Sequence, residues 1–155
     1  MNAADQSVFP LDTAFKRRWS MKYISADGTP ESQLMIQQPH WNPEITISTQ
    51  KMQWQQFRRL LNDYLQSECQ VGTDRLLGPF FLSQKELLQW EDSIPNKVLP
   101  YIREDVLRFQ NGLLFLEKLS LHQVVQVWQV DLIFQEGFQD LLIEHSLQED
   151  SKESV

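Results

Sequence analysis

Apolar residues between positions 49 and 66 recur at the spacing of one helix face. Five of them follow one another at intervals of three, four, three and one: Trp54, Phe57, Leu61, Tyr64 and Leu65. Residues three and four apart share a face of an α-helix. The pattern therefore predicts a helix over Thr49–Gln66 with this face in the core. The polar side of the helix is predicted to carry Arg58, Arg59, Asn62 and Asp63.

Two capping boxes predict further helix starts. Ser83 is followed three residues later by Glu86, and Ser120 by Gln123. In this arrangement the serine hydroxyl accepts from a backbone amide of the first turn, and the later side chain returns the bond to the serine amide. The first helix is expected to run to about Glu91. The second is expected to bury a stripe of four apolar residues: Leu121, Val125, Trp128 and Leu132.

The segment between these helices has a helical period that a proline interrupts. A helix is predicted over Pro95–Gln110, with one face formed by Val98, Ile102, Val106 and Phe109. Pro100 removes a backbone donor and restricts the residue before it, so this helix either starts near Pro100 or is kinked there. Leu113–Leu119 is predicted to be a short helix. Beyond Gly137 a last apolar face follows, formed by Phe138, Leu141, Leu142 and His145.

Strand signals are short and confined to the first third of the chain. Ser20–Ile24 alternates, and Gln33–Gln37 and Glu44–Ile47 have the length of short strands or of a hairpin. Together with the helices they predict a fold that is mainly α with a few short strands. Proline, glycine and polar residues dominate the stretch after position 25, which favours a linker there. We therefore divide the chain into residues 1–24, a linker at 25–47, a helical domain at 48–147 and a polar tail at 148–155.

Composition and charge exclude several classes of protein. A hydrophobic content of 41% over 155 residues is enough for a folded core. The net charge of −7 argues against a general nucleic-acid surface, although the bases clustered at Lys16–Arg18 and Arg58–Arg59 leave room for a local anion contact. The single cysteine, Cys69, excludes an intramolecular disulfide and a cysteine-based zinc site. Because no apolar run reaches the length of a membrane span and no signal peptide opens the chain, the expected location is the cytoplasm, without membrane contact.

No catalytic or metal-binding set is evident in the sequence. His40, His122 and His145 lie far apart in the chain and lack partners at metal-ligand spacing, so we expect no metal site. Cys69 follows Glu68 and has no neighbouring base to activate it. The phosphate-binding pattern G-x-x-x-x-G-K-[ST] does not occur, and neither does an apolar run ending in Asp-Glu that would hold magnesium. On these grounds the chain is not expected to hydrolyse a nucleotide by itself.

The first nineteen residues combine polar groups with a cationic helix end. Leu11–Trp19 is predicted to be a helix that begins behind Pro10, with Asp12 near its positive N-terminus. Lys16, Arg17 and Arg18 then lie near its negative C-terminus, where cations are favoured. A helix end covered by solvated bases explains this triplet without any function.

The same run resembles a known family. Residues 1–19, MNAADQSVFPLDTAFKRRW, look like the end of the AAA+ core of McrB-type NTPases, the motor subunits of modification-dependent restriction systems. That family carries a run close to Met-Asn-Thr-Ala-Asp-Arg, followed by a helix ending in paired arginines. The present run departs from it at Ala3 and Gln6. A looser resemblance continues through Leu77–Phe81 and Asn96–Val106. It implies the end of an AAA+ core, with its sensor and arginine-finger helix, followed by a helical lid-type bundle.

The resemblance also implies roles for individual residues. Arg18, or alternatively Arg17, would be the finger that reaches the nucleotide of a neighbouring subunit. Asn2 would orient the attacking water, and Asp5 would hold a charged partner nearby. Arg103 or Arg108, on the lid helix, would supply a second, cis arginine sensor, although Arg103-Glu104-Asp105 also has the character of a solvated face.

The resemblance places the chain in a larger assembly. The parent protein would form a hexameric ring, use ATP or GTP with magnesium, and recruit an McrC-like nuclease subunit. This chain itself is expected to hold no cofactor, and direct contact with nucleic acid is not expected. The competing interpretation is a stand-alone acidic helical module that binds another protein and has no catalytic activity.

Overall fold

The computed structural model describes residues 25–153, with side chains up to residue 146. This part of the chain is mainly helical and contains one two-stranded antiparallel sheet, as the sequence predicted. The strands are β1 (Glu44–Ile47) and β2 (Gln50–Gln53). The α-helices are α1 (Pro30–Met35), α2 (Trp54–Ser67), α3 (Gln84–Leu88), α4 (Trp90–Ser93), α5 (Leu121–Val127) and α6 (Glu136–Glu153). Two π-helical segments (Ile94–Val98 and Tyr101–Val106) and three 3₁₀ turns (Pro39–Trp41, Thr73–Arg75 and Asn111–Leu113) complete the elements.

The hydrophobic core forms around α2, whose apolar face was predicted. Trp54, Phe57, Leu61 and Leu65 are fully buried. Phe57 lies 6.4 Å from Phe134 and 6.3 Å from Phe138, measured between ring centroids. Aromatic pairs at this separation add to the stabilisation from burial. The helix thus packs its predicted face against the loop before α6 and the first turn of α6.

The N-terminal end of α2 differs from the prediction because a strand occupies it. The helix begins at Trp54 instead of Thr49, and β2 pairs with β1 from Gln50 opposite Ile47 to Gln53 opposite Glu44. Pairing with β1 satisfies the backbone groups of β2, which the helical period cannot reveal. The predicted strand at Glu44–Ile47 is therefore confirmed, whereas Gln33–Gln37 falls largely within α1.

The turn between the two strands is held by distant parts of the chain. Ser48 and Thr49 both have positive φ angles, 47° and 70°, the conformation that two-residue hairpins need. The Ser48 amide donates to the carbonyl oxygen of Trp128 at 2.6 Å, and its hydroxyl donates to Gln139 Oε1 at 2.6 Å. The side-chain amide nitrogen of Gln139 (Nε2) donates back to the Ser48 carbonyl oxygen at 3.0 Å. The Thr49 amide in turn donates to the carbonyl oxygen of Gln129 at 3.0 Å. Together these bonds hold two non-glycine residues in a conformation that they rarely adopt.

Both predicted capping boxes are present. The Ser83 hydroxyl accepts from the amide of Glu86 and the Ser120 hydroxyl from the amide of Gln123, each at 3.3 Å. The reciprocal bonds to the serine amides are both 2.8 Å. The boxes fix where α3 and α5 begin. Of the predicted apolar stripe, however, only Trp128 is buried: Leu121 and Val125 are half-buried and Leu132 is exposed. Within α5 the buried residue is Val124.

Replacing Ser120 with alanine should lower the free energy of unfolding by about 1 kcal/mol, because the amide of Gln123 loses its acceptor. Urea denaturation followed by circular dichroism measures this change. Ser120→Asp keeps an acceptor at the same place and is the matched control, expected to stay within a few tenths of a kcal/mol of the parent chain. An equal loss in both variants would show that the hydroxyl acts in some other way.

The segment after α4 forms π-helical turns on both sides of Pro100, where the sequence predicted a helix that starts near this proline or is kinked there. The Leu107 amide donates to the carbonyl oxygen of Ile102 at 2.8 Å, a bond that spans five residues. Pro100 cannot donate to a helical ladder, and wide turns at this point keep Val98, Ile102 and Val106 buried. The chain leaves the helical conformation at Leu107, so Phe109 is 91% exposed. Its predicted place on the buried face is wrong.

The predicted helix at Leu113–Leu119 is also absent, and a short backbone bridge replaces it. Phe115 pairs with Phe134 in antiparallel fashion. The Leu116 amide donates to the carbonyl oxygen of Ile133 at 3.0 Å, and the Gln135 amide to that of Leu114 at 2.8 Å. This bridge places both phenylalanines in the core, with their ring centroids 5.6 Å apart.

Residues of the predicted linker contribute to the same core. Ile36, Ile45 and Ile47 are buried, and the latter two belong to the main hydrophobic cluster. The domain boundaries derived from the sequence stay predictions. Within the described residues, no helix is both long and apolar enough to cross a lipid bilayer.

Candidate functional site

Four of the five predicted site residues lie outside the described residues. Asn2, Asp5, Arg17 and Arg18 belong to residues 1–24, for which the structure gives no placement. Their roles stay predictions that depend on the resemblance of the N-terminal run. The described part begins directly after them, at Ser25, and leads through Ala26 and Asp27 into α1.

Arg103, the fifth predicted residue, is half-buried on the π-helical segment Tyr101–Val106. Its Nη2 donates to the carbonyl oxygen of Leu119 at 2.7 Å. The guanidinium carbon lies 5.4 Å from the ring centroid of Phe115, a cation–π contact. These two contacts join the segment to the loop before α5. Nη1 is also buried, and no described residue accepts a hydrogen bond from it.

A depression of about 290 Å³ lies beside Arg103. Arg108, Phe109, Asn111 and Glu117 are among the residues that line it. Asn111 Oδ1, like Arg103 Nη1, is buried without a hydrogen-bond partner among the described residues. The depression therefore has one donor and one acceptor that the described part of the chain leaves unused.

Arg58 is not the solvated base that the sequence predicted. Its side chain is fully buried, and Asn62 one turn later is buried as well. Arg58 Nε donates to Gln55 Oε1 at 2.8 Å, and Nη1 donates to the carbonyl oxygens of Leu77 at 2.9 Å and Ala26 at 3.3 Å. All three acceptors belong to the chain itself, so Arg58 does not offer the anion contact suggested for the Arg58–Arg59 pair.

Burial shifts the pKa of Arg58 but leaves its guanidinium protonated at neutral pH. Removal from water lowers the pKa of Arg58 to about 10, and the charge of Asp27 partly opposes this effect. Asp27 Oδ1 lies 3.7 Å from Arg58 Nη2, and its side chain is 57% exposed. Arg58 therefore remains a cation at neutral pH and ties the segment at Ala26–Asp27 to α2.

The remaining reactive groups of the described part do not form a catalytic set. The Cys69 thiol is buried, which together with Glu68 raises its pKa to about 11 and keeps it protonated. His145 Nδ1 lies 3.0 Å from the carbonyl oxygen of Leu141 on its own helix. Among the described residues, no three His, Cys, Asp or Glu side chains come together in a way that would hold a metal ion.

Comparison with known proteins connects the chain with a restriction enzyme. No protein-family model matches the chain, and no solved structure matches it. The chain is 36% identical over 129 residues to a Bacillus subtilis (strain 168) protein named as the type II restriction enzyme BsuMI component YdiS. The matched region covers 81% of this chain and 35% of that protein, so the chain spans about a third of its relative's length. The link to restriction systems that the N-terminal run implied is thus supported by a relative that is named as a restriction-enzyme component.

Proposed function

We propose that this chain is the C-terminal arginine-finger and lid portion of an McrB-like AAA+ NTPase that acts in the restriction of foreign DNA. The observation that carries the proposal is the N-terminal run, in which Asn2, Asp5 and Arg18 have the order and spacing of that family. The restriction-enzyme relative and the mainly helical unit that follows the run both support it.

In this proposal Arg18 acts on a nucleotide bound by the neighbouring subunit. Phosphoryl transfer spreads negative charge over the oxygens of the transferred group, and a guanidinium with paired donors stabilises that charge. Arg17 is the alternative finger. Asn2 orients the attacking water, and Asp5 holds a charged group beside it.

The helical unit acts as the lid, coupling the state of the nucleotide to movement of the ring. The contacts of Arg58 with Ala26 and Asp27 support this part of the proposal. They join the residues that follow the N-terminal run to α2, so a displacement of that run would be passed to the core of the helical unit. Arg103 is the less supported sensor candidate, because one of its terminal nitrogens already binds the Leu119 carbonyl oxygen.

The partners and cofactors in the proposal belong to a parent protein longer than this chain. They are a hexameric ring, ATP or GTP with magnesium, and an McrC-like nuclease subunit. The phosphate cradle and the magnesium ligands would come from parts of the parent that precede residue 1, since the 155 residues contain neither motif.

The isolated 155-residue chain should not hydrolyse ATP or GTP, because it lacks those two motifs. Release of inorganic phosphate by the purified chain measures this, with an intact AAA+ NTPase as the positive control. Turnover that persists through purification and disappears in an Asn2→Ala variant would contradict the proposal and point to an autonomous enzyme.

The DNA sequence upstream of Met1 distinguishes this proposal from the competing one, a stand-alone acidic helical module that binds another protein. An open reading frame that continues upstream through a phosphate-binding loop and a magnesium-binding Asp-Glu supports the NTPase portion. An in-frame stop codon followed by a ribosome-binding site directly before Met1 supports the module. The 91% exposure of Phe109 is the observation that favours binding of another protein in either case.

A further inference from the structure

Phe109 is the most exposed of the large apolar side chains that the structure exposes. It follows the π-helical segment Tyr101–Val106 and lies in a turn that ends at the buried Phe115. Burial of an apolar ring is favourable, so binding of a partner over the exposed Phe109 ring would be stabilising. Aromatic and arginine side chains are also the residues that most often dominate the energetics of protein interfaces.

The turn that presents Phe109 is held by its own backbone. The Gln110 amide donates to the carbonyl oxygen of Leu107 at 2.7 Å, and the Phe115 amide donates to that of Asn111 at 2.8 Å. A surface ordered before binding loses less conformational entropy when a partner arrives. The backbone of the turn is therefore suited to recognition in its present conformation.

Three adjoining depressions of about 460, 290 and 340 Å³ all include Phe109 in their walls. We call the residues that line them the Phe109 surface. Its charged members are Arg75, Arg103, Arg108, Asp105 and Glu117. Three cations against two carboxylates leave this surface positive, whereas the whole chain has a net charge of −7. A negatively charged partner would therefore be favoured here over the rest of the molecule.

The unused donor and acceptor described above lie within the Phe109 surface. Arg103 Nη1 needs an acceptor and Asn111 Oδ1 needs a donor. Because both atoms are buried, a partner reaches them only after these two side chains rotate outward. A peptide bond supplies a carbonyl oxygen and an amide hydrogen. Phosphate oxygens would satisfy the arginine but supply no donor for the asparagine oxygen.

We propose that the Phe109 surface binds an extended segment of a partner protein that combines a carboxylate with a large apolar side chain. The apolar side chain packs against Phe109 and Leu113, and the carboxylate pairs with Arg108 or Arg75. Once the Arg103 and Asn111 side chains have rotated outward, the backbone of the segment satisfies Arg103 Nη1 and Asn111 Oδ1. This inference does not depend on nucleotide hydrolysis and holds for the NTPase portion and for the interaction module.

Two other occupants are less compatible with the surface. Nucleic acid carries a phosphate at every nucleotide, so its backbone would meet the carboxylates of Asp105 and Glu117, whereas a single carboxylate can pair with an arginine and stay away from them. In addition, the Arg108 guanidinium lies 5.4 Å from the Phe109 ring centroid, where a base would stack. For a second copy of this chain, the shared charge of −7 disfavours association at low ionic strength.

Selection from a displayed library of random heptapeptides on the immobilised chain tests the proposal. Enriched peptides should contain Asp or Glu close to Leu, Phe or Met. A fluorescein-labelled synthetic copy should bind the parent chain at least about tenfold more tightly than Phe109→Ser or Arg108→Ala. Raising the salt concentration should weaken binding, because part of the recognition is ionic. Thermal unfolding monitors the fold of each variant.

Leu88→Ser is the matched control, because Leu88 is 80% exposed on α3 and does not line the Phe109 surface. It should bind the labelled peptide like the parent chain. The proposal is overturned if no peptide class is enriched, or if Phe109→Ser binds as well as Leu88→Ser. It is also overturned if the parent chain instead binds a single-stranded oligonucleotide, or forms dimers, in a way that only Phe109→Ser abolishes.

Discussion

Replacing Arg18 with alanine in the full-length NTPase that we propose should lower kcat for nucleotide hydrolysis by about 10³- to 10⁵-fold. The arginine would act on charge that develops only in the transition state, so the affinity for the nucleotide should change little. Steady-state phosphate release measures kcat, and binding of a fluorescent nucleotide analogue measures affinity. Equal losses in kcat and in affinity would indicate that Arg18 binds the ground state instead.

Neighbouring variants separate the finger from a charged helix end. Lys16→Ala removes a cation from the same triplet and should retain most of the activity, whereas Arg17→Ala identifies which arginine is the finger.

Rings that contain two kinds of variant subunit test whether the arginine acts across a subunit boundary. Rings mixed from Arg18→Ala subunits and subunits that cannot bind nucleotide should regain part of the hydrolysis, because an intact finger then faces an intact nucleotide site. Full activity in unmixed Arg18→Ala rings would remove the assignment.

Replacing Arg58 with methionine should lower the free energy of unfolding by about 2–4 kcal/mol. Methionine occupies a similar apolar volume but cannot donate, so the buried Gln55 Oε1 loses its bond and the Leu77 carbonyl oxygen loses one of two. The first effect is destabilising: each unpaired buried acceptor lowers the free energy of unfolding by about 1–3 kcal/mol. The second effect is stabilising, because the charged guanidinium no longer has to be removed from water when the chain folds. The first effect should be the larger, because Arg58 makes three hydrogen bonds to the chain. Urea denaturation gives the free energy.

The next residue offers a matched control for Arg58. Arg59 is exposed, and Arg59→Met should change the stability by less than about 0.5 kcal/mol. Asp27→Asn should cost less than about 1 kcal/mol, because the Asp27 side chain is 57% exposed and its ion pair spans 3.7 Å. The prediction is wrong if Arg58→Met and Arg59→Met have the same free energy of unfolding. In that case the stabilisation from the buried hydrogen bonds of Arg58 equals the cost of removing its charge from water.

Features that depend on residues close together in the chain were predictable from the sequence. The apolar face of α2 and the capping boxes at Ser83 and Ser120 each require only residues three or four positions apart. The strand at Glu44–Ile47 was also predicted, as a short strand or part of a hairpin. The π-helical turns beside Pro100 were less predictable. A proline indicates that the regular ladder of helical hydrogen bonds is interrupted, but it does not indicate which conformation the chain adopts next.

The residues of the candidate site also differ in whether the sequence could identify them. Asn2, Asp5, Arg17 and Arg18 were found through a resemblance of the N-terminal run, and Arg103 through its place on a helix. The depression beside Arg103 was not foreseen, since Asn111 approaches it only because the turn after Leu107 folds back. The exposure of Phe109 was missed for the same reason, as its spacing from Val106 would suit a buried helix face.

Patterns along the chain were enough to predict the mainly helical class, the apolar face of α2, two helix starts and the lack of a phosphate-binding loop in these 155 residues. The burial of Arg58, the left-handed turn at Ser48 and Thr49, and the exposure of Phe109 became evident only in the folded chain. The partners of Arg58 and Ser48 lie far away along the chain. The acceptors of Arg58 include residues 26 and 77, and the partners of Ser48 lie near residues 128 and 139. A local pattern specifies where a helix begins, but only the folded chain brings such distant groups within hydrogen-bond range.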